Sequence, residues 1–204
     1  MFRKIIALAS SIFILFVAYY GSYLPLRKSQ VFIATLQGLS SIRSFNDFDN
    51  AVSVPLRLSS PIGQEELVRN TGNIVLNLVS NGQNPEVMKA AVDFLESYYK
   101  PIIDSGHGMS FSQNLYILGI INQAGLIGTG EARYFEAAKN YYSEGLRLGP
   151  KRPQFLYGMF DVYRAENNVE KAKEIATQIL NEWPSDDRVR KGIDDLITRN
   201  TPKR

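Results

Sequence analysis

The chain has 204 residues, 45% of them hydrophobic and 21% charged, a balance that buries a core and argues against disorder over most of its length. With no cysteine and one histidine, it excludes disulfides, cysteine-type zinc sites, thiol nucleophiles and multi-histidine metal clusters, and no cofactor is expected. The formal charge of +3 is misleading: four of the 23 basic residues and none of the 20 acidic ones fall in residues 1–30, which leaves 19 basic against 20 acidic groups beyond them and no basic footprint for a nucleic-acid partner.

From Ile5 to Leu26, 22 residues carry no charge. At ~1.5 Å rise per residue such a helix matches the ~30 Å hydrocarbon thickness of a bilayer. Tyr19, Tyr20 and Tyr23 cluster at the distal end, where amphipathic rings favour the membrane interface, and Arg3, Lys4, Arg27 and Lys28 bracket the run. A cleaved secretory signal shares the charged start and apolar core. However, Tyr19-Tyr20 follow Ala18 and no small-x-small site closes the run, so an uncleaved single-pass anchor over residues 1–28 is expected in preference to a signal peptide or a buried soluble helix. The N-terminal amine adds positive charge to the short side, which favours a cytoplasmic N-terminus and an extracytoplasmic C-terminal domain. Pro25 is expected to end or kink the anchor helix.

The rest reads as all-α, since apolar residues recur at helical spacing and no two-residue alternation is sustained. Helices are expected near residues 29–44, 46–58, 62–81, 85–104, 111–126, 132–148, 152–166, 169–183 and 186–199. They are separated by Ser59-Ser60-Pro61, Asn81-Gly82, Asp104 to Gly108, Gly128-Thr129-Gly130, Gly149-Pro150, Asn167-Asn168 and Pro184-Ser185. Asn84 is placed to cap a helix opened by Pro85 and Glu86. Residues 29–110 hold degenerate helical repeats: Ile74 and Leu78 with Ala90 and Phe94 in one hairpin, and Phe48 with Ala51 and Leu58 in a further half.

Residues 111–184 hold the clearer pattern. Leu156, Met159, Phe160 and Tyr163 share one helix face, Asn167-Asn168 turn the chain, and Val169, Ala172, Ala176, Ile179, Leu180 and Trp183 follow before Pro184. Ala138 precedes Pro150 by the same interval that separates Ala172 from Pro184, and the two prolines stand ~34 residues apart, the period of the tetratricopeptide repeat. In Tyr163, Ala172 and Pro184, and in the pair Leu118-Gly119, the chain resembles that family, with Asn122 where a tyrosine is usual. The Gln113 unit carries about seven residues more than one period, assigned to the turn at Gly128-Thr129-Gly130. The resemblance implies an α-solenoid of antiparallel hairpins, with Val189, Ile193 and Leu196 on a capping helix and a basic tail in 185–204. It also implies a concave groove lined by Gln113, Tyr116, Ile120 and Gln123, and by Gln154, Tyr157, Asp161 and Arg164. Such amides and aromatics suit an extended protein or peptide partner.

Catalysis is not expected. His107 stands between Gly106 and Gly108 with no serine, cysteine or carboxylate at motif spacing. The acidic pairs Glu65-Glu66, Asp186-Asp187 and Asp194-Asp195 diverge by ~100° on a helix and read as helix-start or solvated charge, not metal ligands. Neither glycine turn follows a strand or leads into a phosphate-loop lysine. Tyr98-Tyr99 and Tyr141-Tyr142 read as interhelical packing.

The order of a membrane span through Tyr23-Leu24-Pro25-Leu26-Arg27, the stretch Asn46-Asp47-Phe48-Asp49-Asn50-Ala51, then Gly63-Gln64-Glu65-Glu66-Leu67 and repeats also resembles the C-terminal region of bacterial O-antigen ligase or polymerase family membrane proteins. That resemblance implies, as the alternative to a free-standing scaffold, a terminal or accessory repeat domain partnered with a polytopic glycan-transfer protein. That family's catalytic part has no counterpart here, so no catalytic residue is carried over.

Overall fold

The apolar N-terminal run does not stop at Pro25. In the computed structural model, which describes residues 2–81, 84–108 and 110–201, helix α1 (Phe2–Ala18), a π-helical stretch (Tyr19–Tyr23), α2 (Leu24–Gly38) and a final 3₁₀ turn (Leu39–Ser41) form one 40-residue helix. The helix therefore does not stop at Pro25. A proline within a helix lacks an N–H and presses on the carbonyl four residues back, here that of Gly21. The wider π turn sits where that carbonyl lies, and helical structure continues through it. Residues 2–23 are exposed on every side, and the helix is long and apolar enough to cross a membrane, with a mean hydropathy of 2.0 in its apolar window.

Lys28 is the second departure. Expected as a basic flank of the anchor, it is only 3% exposed, and its Nζ donates to the Leu58 carbonyl at 2.7 Å and to Gln64 Oε1. Phe32 is buried beside it, with Leu36 and Leu39 packed on the same core. The anchor helix therefore becomes part of the domain from Lys28 onwards.

Helix α3 (Phe45–Arg57) starts at Ser44, whose Oγ accepts from the Asp47 N–H at 3.1 Å, and returns along α2. Next, α4 (Gln64–Asn81) and α5 (Pro85–Ser105) pack as a hairpin. Asn84 caps α5 as its sequence suggested, accepting from Glu86 and Val87 N–H, and α5 ends on Gly106 at φ 67°, a left-handed turn that glycine takes freely. The Gly82 half of the Asn81-Gly82 break, and residues 202–204 of the basic tail, lie outside the described residues.

In this hairpin the expected apolar face holds at Phe94, which is buried, and at Ile74, which packs partly buried on the same core, and is displaced by one residue elsewhere. Leu78 and Ala90 are exposed, while Val68, Val75 and Val79 meet Ala91, Val92, Leu95 and Tyr99. Apolar residues stand side by side at Ile74-Val75, Leu78-Val79 and Ala90-Ala91, so the pattern alone admits either phase. Gly72 favours the observed one: a Cβ there would lie 2.7 Å from the Tyr99 hydroxyl oxygen, so α4 and α5 approach closely where this glycine stands.

Five helices complete the chain: α6 (Phe111–Thr129), α7 (Ala132–Leu148), α8 (Pro153–Ala165), α9 (Val169–Glu182) and α10 (Asp187–Asn200). Each packs on the next, and α6 also touches α8. Ala138 and Ala172 are fully buried. The additional residues are not in the turn, which is only Gly130 and Glu131; instead α6 and α7 are longer, at 19 and 17 residues against 13 and 14 for α8 and α9. Asn122 is buried and donates to Glu96 Oε1 at 2.9 Å, tying α6 to α5 where the repeat pattern has a tyrosine. Two apolar cores meet along α6, which gives Ile117, Leu118 and Ile121 to one and Phe111 and Leu115 to the other.

Candidate functional site

The site is built around Tyr142 of α7. Its ring is fully buried between two glycines: a Cβ on Gly119 of α6 would lie 2.2 Å from it, and one on Gly158 of α8 would lie 2.5 Å from it. Both glycines are required by close approach rather than by backbone angle. The ring holds α6 and α8 side by side, and its hydroxyl donates to Gln123 Oε1 at 3.0 Å. Burial raises the Tyr142 pKa, so the phenol is neutral and a fixed donor.

Above this ring lies a cleft of about 310 Å³. Six of the eight groove residues named from the sequence line it: Tyr116, Ile120 and Gln123 from α6, and Gln154, Tyr157 and Asp161 from α8. Gln113 lines an adjoining cleft of about 580 Å³ that shares Tyr116 and Gln154 and adds Arg69 and Arg152. Arg164 lines neither; its guanidinium bonds Asp161 at 3.2 Å and lies 5.4 Å from the centre of the Phe160 ring. Besides Tyr142 and Gly158 at its floor, the lining residues that the repeat register did not name are Ala124, Ile127 and Arg188. Ile127, 77% exposed, continues the α6 stripe one turn beyond Gln123, so helical spacing alone would have found it. Arg188 comes from α10, and nothing in the repeat pattern points to it.

Several lining groups are already engaged. Asp161 is paired with Arg164 and Arg188, so it does not present a free negative charge. Tyr157 donates to Asp186, packs on Trp183 with ring centres 6.0 Å apart, and lies under the Arg188 guanidinium. Asp186 also caps α10, accepting from the Val189 N–H at 3.0 Å. The bond from Tyr157, then that from Val189, holds its carboxyl below the usual value of 3.8, and the same bond raises Tyr157.

Asp186 should therefore stabilise the α8–α10 corner above pH ~4. The sign follows from the depressed pKa: the contribution is complete above the unfolded-state value and is lost as pH falls through the lower folded-state value. Asp186→Ala is expected to cost about 1 kcal/mol at neutral pH, a typical loss for an N-cap. The gap from wild type in urea unfolding should close in strong acid; a gap independent of pH would reject the role of the carboxylate.

The remaining candidates stand apart from this cleft. His107 is exposed in a loop where Gly106 and Gly108 both take positive φ, and its carbonyl accepts from Ser105. Glu65 accepts from Asn114 at 2.8 Å, Asp187 lies in the first turn of α10, and Tyr99 is a core residue. Among the described residues, no three histidine or carboxylate side chains converge on a point that suits a metal ion. Comparison with family models, curated proteins and solved structures finds no match to this chain.

Proposed function

We propose that this chain is a membrane-tethered protein-interaction scaffold. In this reading a tetratricopeptide-like α-solenoid, anchored by the N-terminal helix and facing the extracytoplasmic side, receives an extended segment of a protein partner in the cleft between α6 and α8. The supporting observation is that six residues, picked out by repeat register on two helices, line a single cleft.

The lining decides the kind of segment. Gln123 has its carbonyl oxygen occupied by Tyr142, which leaves its amide N–H groups as donors to a passing main chain. Tyr116, Ile120 and Ile127 offer apolar contact. With Asp161 neutralised by two arginines, the cleft favours a neutral polar segment with an apolar side chain over a strongly charged one.

Tyr157 is a poor probe because its removal also disturbs Asp186 and Trp183. Ile127 and Gln154 are better placed. A photo-crosslinking residue at either position, in the full chain in its native membrane, should give one discrete protein adduct, and Tyr116→Ala should weaken it. The same residue at Leu148, exposed on α7 outside the cleft, should not give it. Equal adducts at all three positions, or none at the two cleft positions, would remove the cleft from the account.

A further inference from the structure

We infer that the α3–α4 loop, residues 58–63, is a second membrane contact, inserting Ile62 into the bilayer interface beside the span. This rests on the reading of the N-terminal helix as a membrane anchor.

The geometry follows from Lys28. It stands two residues beyond Leu26, the last of the uncharged run, a rise of ~3 Å along the helix. Side chains on a helix tilt toward its N-terminus, so Lys28 reaches back toward the apolar segment. Its Nζ there meets the Leu58 carbonyl and Gln64 Oε1, which places both ends of the loop at the level of Leu24 to Leu26. The path of α3 agrees: α2 leads away from the apolar run and α3 returns along it, so its C-terminal end and the loop that follows point at the membrane.

What the loop presents there suits an interface. Pro61 and Ile62 are exposed, Ile62 to 61%, and residues 58–63 carry no charge. Ser60 folds the loop around Ile62, donating to its carbonyl at 2.7 Å and accepting from its N–H at 3.4 Å, so those main-chain groups are partly satisfied before they meet lipid. Arg57, exposed just before the loop, and exposed Arg27 on the span supply cations at headgroup depth, and Tyr19, Tyr20 and Tyr23 occupy the same zone on the helix. A lone exposed isoleucine means little on a free surface. On a tight uncharged loop whose two ends are held by Lys28 just beyond the apolar run, it fits an interfacial lipid contact.

The absence of native cysteine makes the test direct. Single-cysteine variants Ile62→Cys, Phe13→Cys and Val87→Cys of the full chain, each carrying an environment-sensitive fluorophore, are reconstituted in vesicles of phosphatidylcholine and phosphatidylglycerol in equal parts. Phe13 samples the span, and Val87 samples the start of α5 at the opposite end of the α4–α5 hairpin. The expected result is a blue-shifted Ile62 emission quenched by lipid-borne nitroxide and protected from aqueous iodide, with Phe13 deeper and Val87 open to iodide. If Phe13 lies in lipid but Ile62 behaves like Val87, the loop contact is wrong and the span survives. If Ile62 is shielded from both quenchers, protein and not lipid covers it, and the proposal also fails. If Phe13 itself is open to iodide, the anchor reading falls and the loop contact with it.

Discussion

Gly119→Ala is expected to destabilise the helical domain by about 3 kcal/mol, although it adds one methyl group and improves helix propensity. At an exposed helical site the same change gains up to about 1 kcal/mol, because glycine pays more backbone entropy than alanine. Here the new Cβ would lie 2.2, 2.6 and 2.7 Å from three atoms of the Tyr142 ring, so it meets the ring edge and not a flexible tip. Nor can the ring retreat, because Gly158 of α8 approaches it equally closely from another side. Relief requires α6 to move off α7, which opens the cleft wall and breaks the Tyr142 bond to Gln123. Tyr142→Ala should cost a similar amount, about 4 kcal/mol, through the cavity it leaves. The two changes should not add: in a Tyr142→Leu background, Gly119→Ala should cost far less, since its clash partner is smaller. Gly38→Ala, with nothing within 4 Å of the added atom, serves as the control and should be neutral or slightly stabilising. Urea unfolding of the detergent-solubilised chain, followed by helical circular dichroism, measures all four. Wild-type stability in Gly119→Ala would show that the ring is not wedged.

The importance of Tyr142 also shows what was legible in the sequence. Helix existence was, because caps and breakers act locally: Asn84 before Pro85, Asn168 accepting from the Lys171 N–H, and Gly106 at positive φ are all written within one turn of the chain. Six of the cleft residues were legible for a related reason, since positions three, four and seven apart share a helix face and the repeat supplied the register between α6 and α8. The misses depend on distant partners. The phase of α4 turns on Gly72 meeting Tyr99, 27 positions later by sequence number. The seven additional residues read equally well as turn or helix, because Leu126 and Ile127 continue the helical apolar pattern and glycines at 125 and 128 do not forbid it. The helix runs on past Pro25 because a π turn lies where its clash would fall, and no residue pattern announces such a turn. Arg188 reaches the cleft only because α10 folds back over α8.

Lys28 is the clearest such case, and its substitutions should separate a structural tether from a membrane flank. Among the described residues its Nζ bonds two acceptors and no carboxylate, at 3% exposure. Lys28→Glu would set an acceptor against two acceptors in a buried site, and an uncompensated buried charge of this kind costs about 3–5 kcal/mol. Lys28→Met keeps the apolar stem and removes the desolvated ammonium. It leaves the Leu58 carbonyl short of a donor, a cost of about 1–3 kcal/mol that the lost desolvation penalty partly offsets. A graded loss is therefore expected, with Lys28→Glu well below Lys28→Met and both below wild type, and it should appear first as proteolytic cleavage within residues 58–63 because that loop loses its bond to α2. A mere flanking charge predicts a different pattern: both variants would alter membrane insertion or orientation, while unfolding and loop cleavage would match wild type. Urea unfolding in detergent and limited proteolysis in vesicles, run on the same three proteins, distinguish the two. A domain that resists proteolysis equally in all three would mean that the contact between Lys28 and the α3–α4 loop does not hold the anchor to the domain.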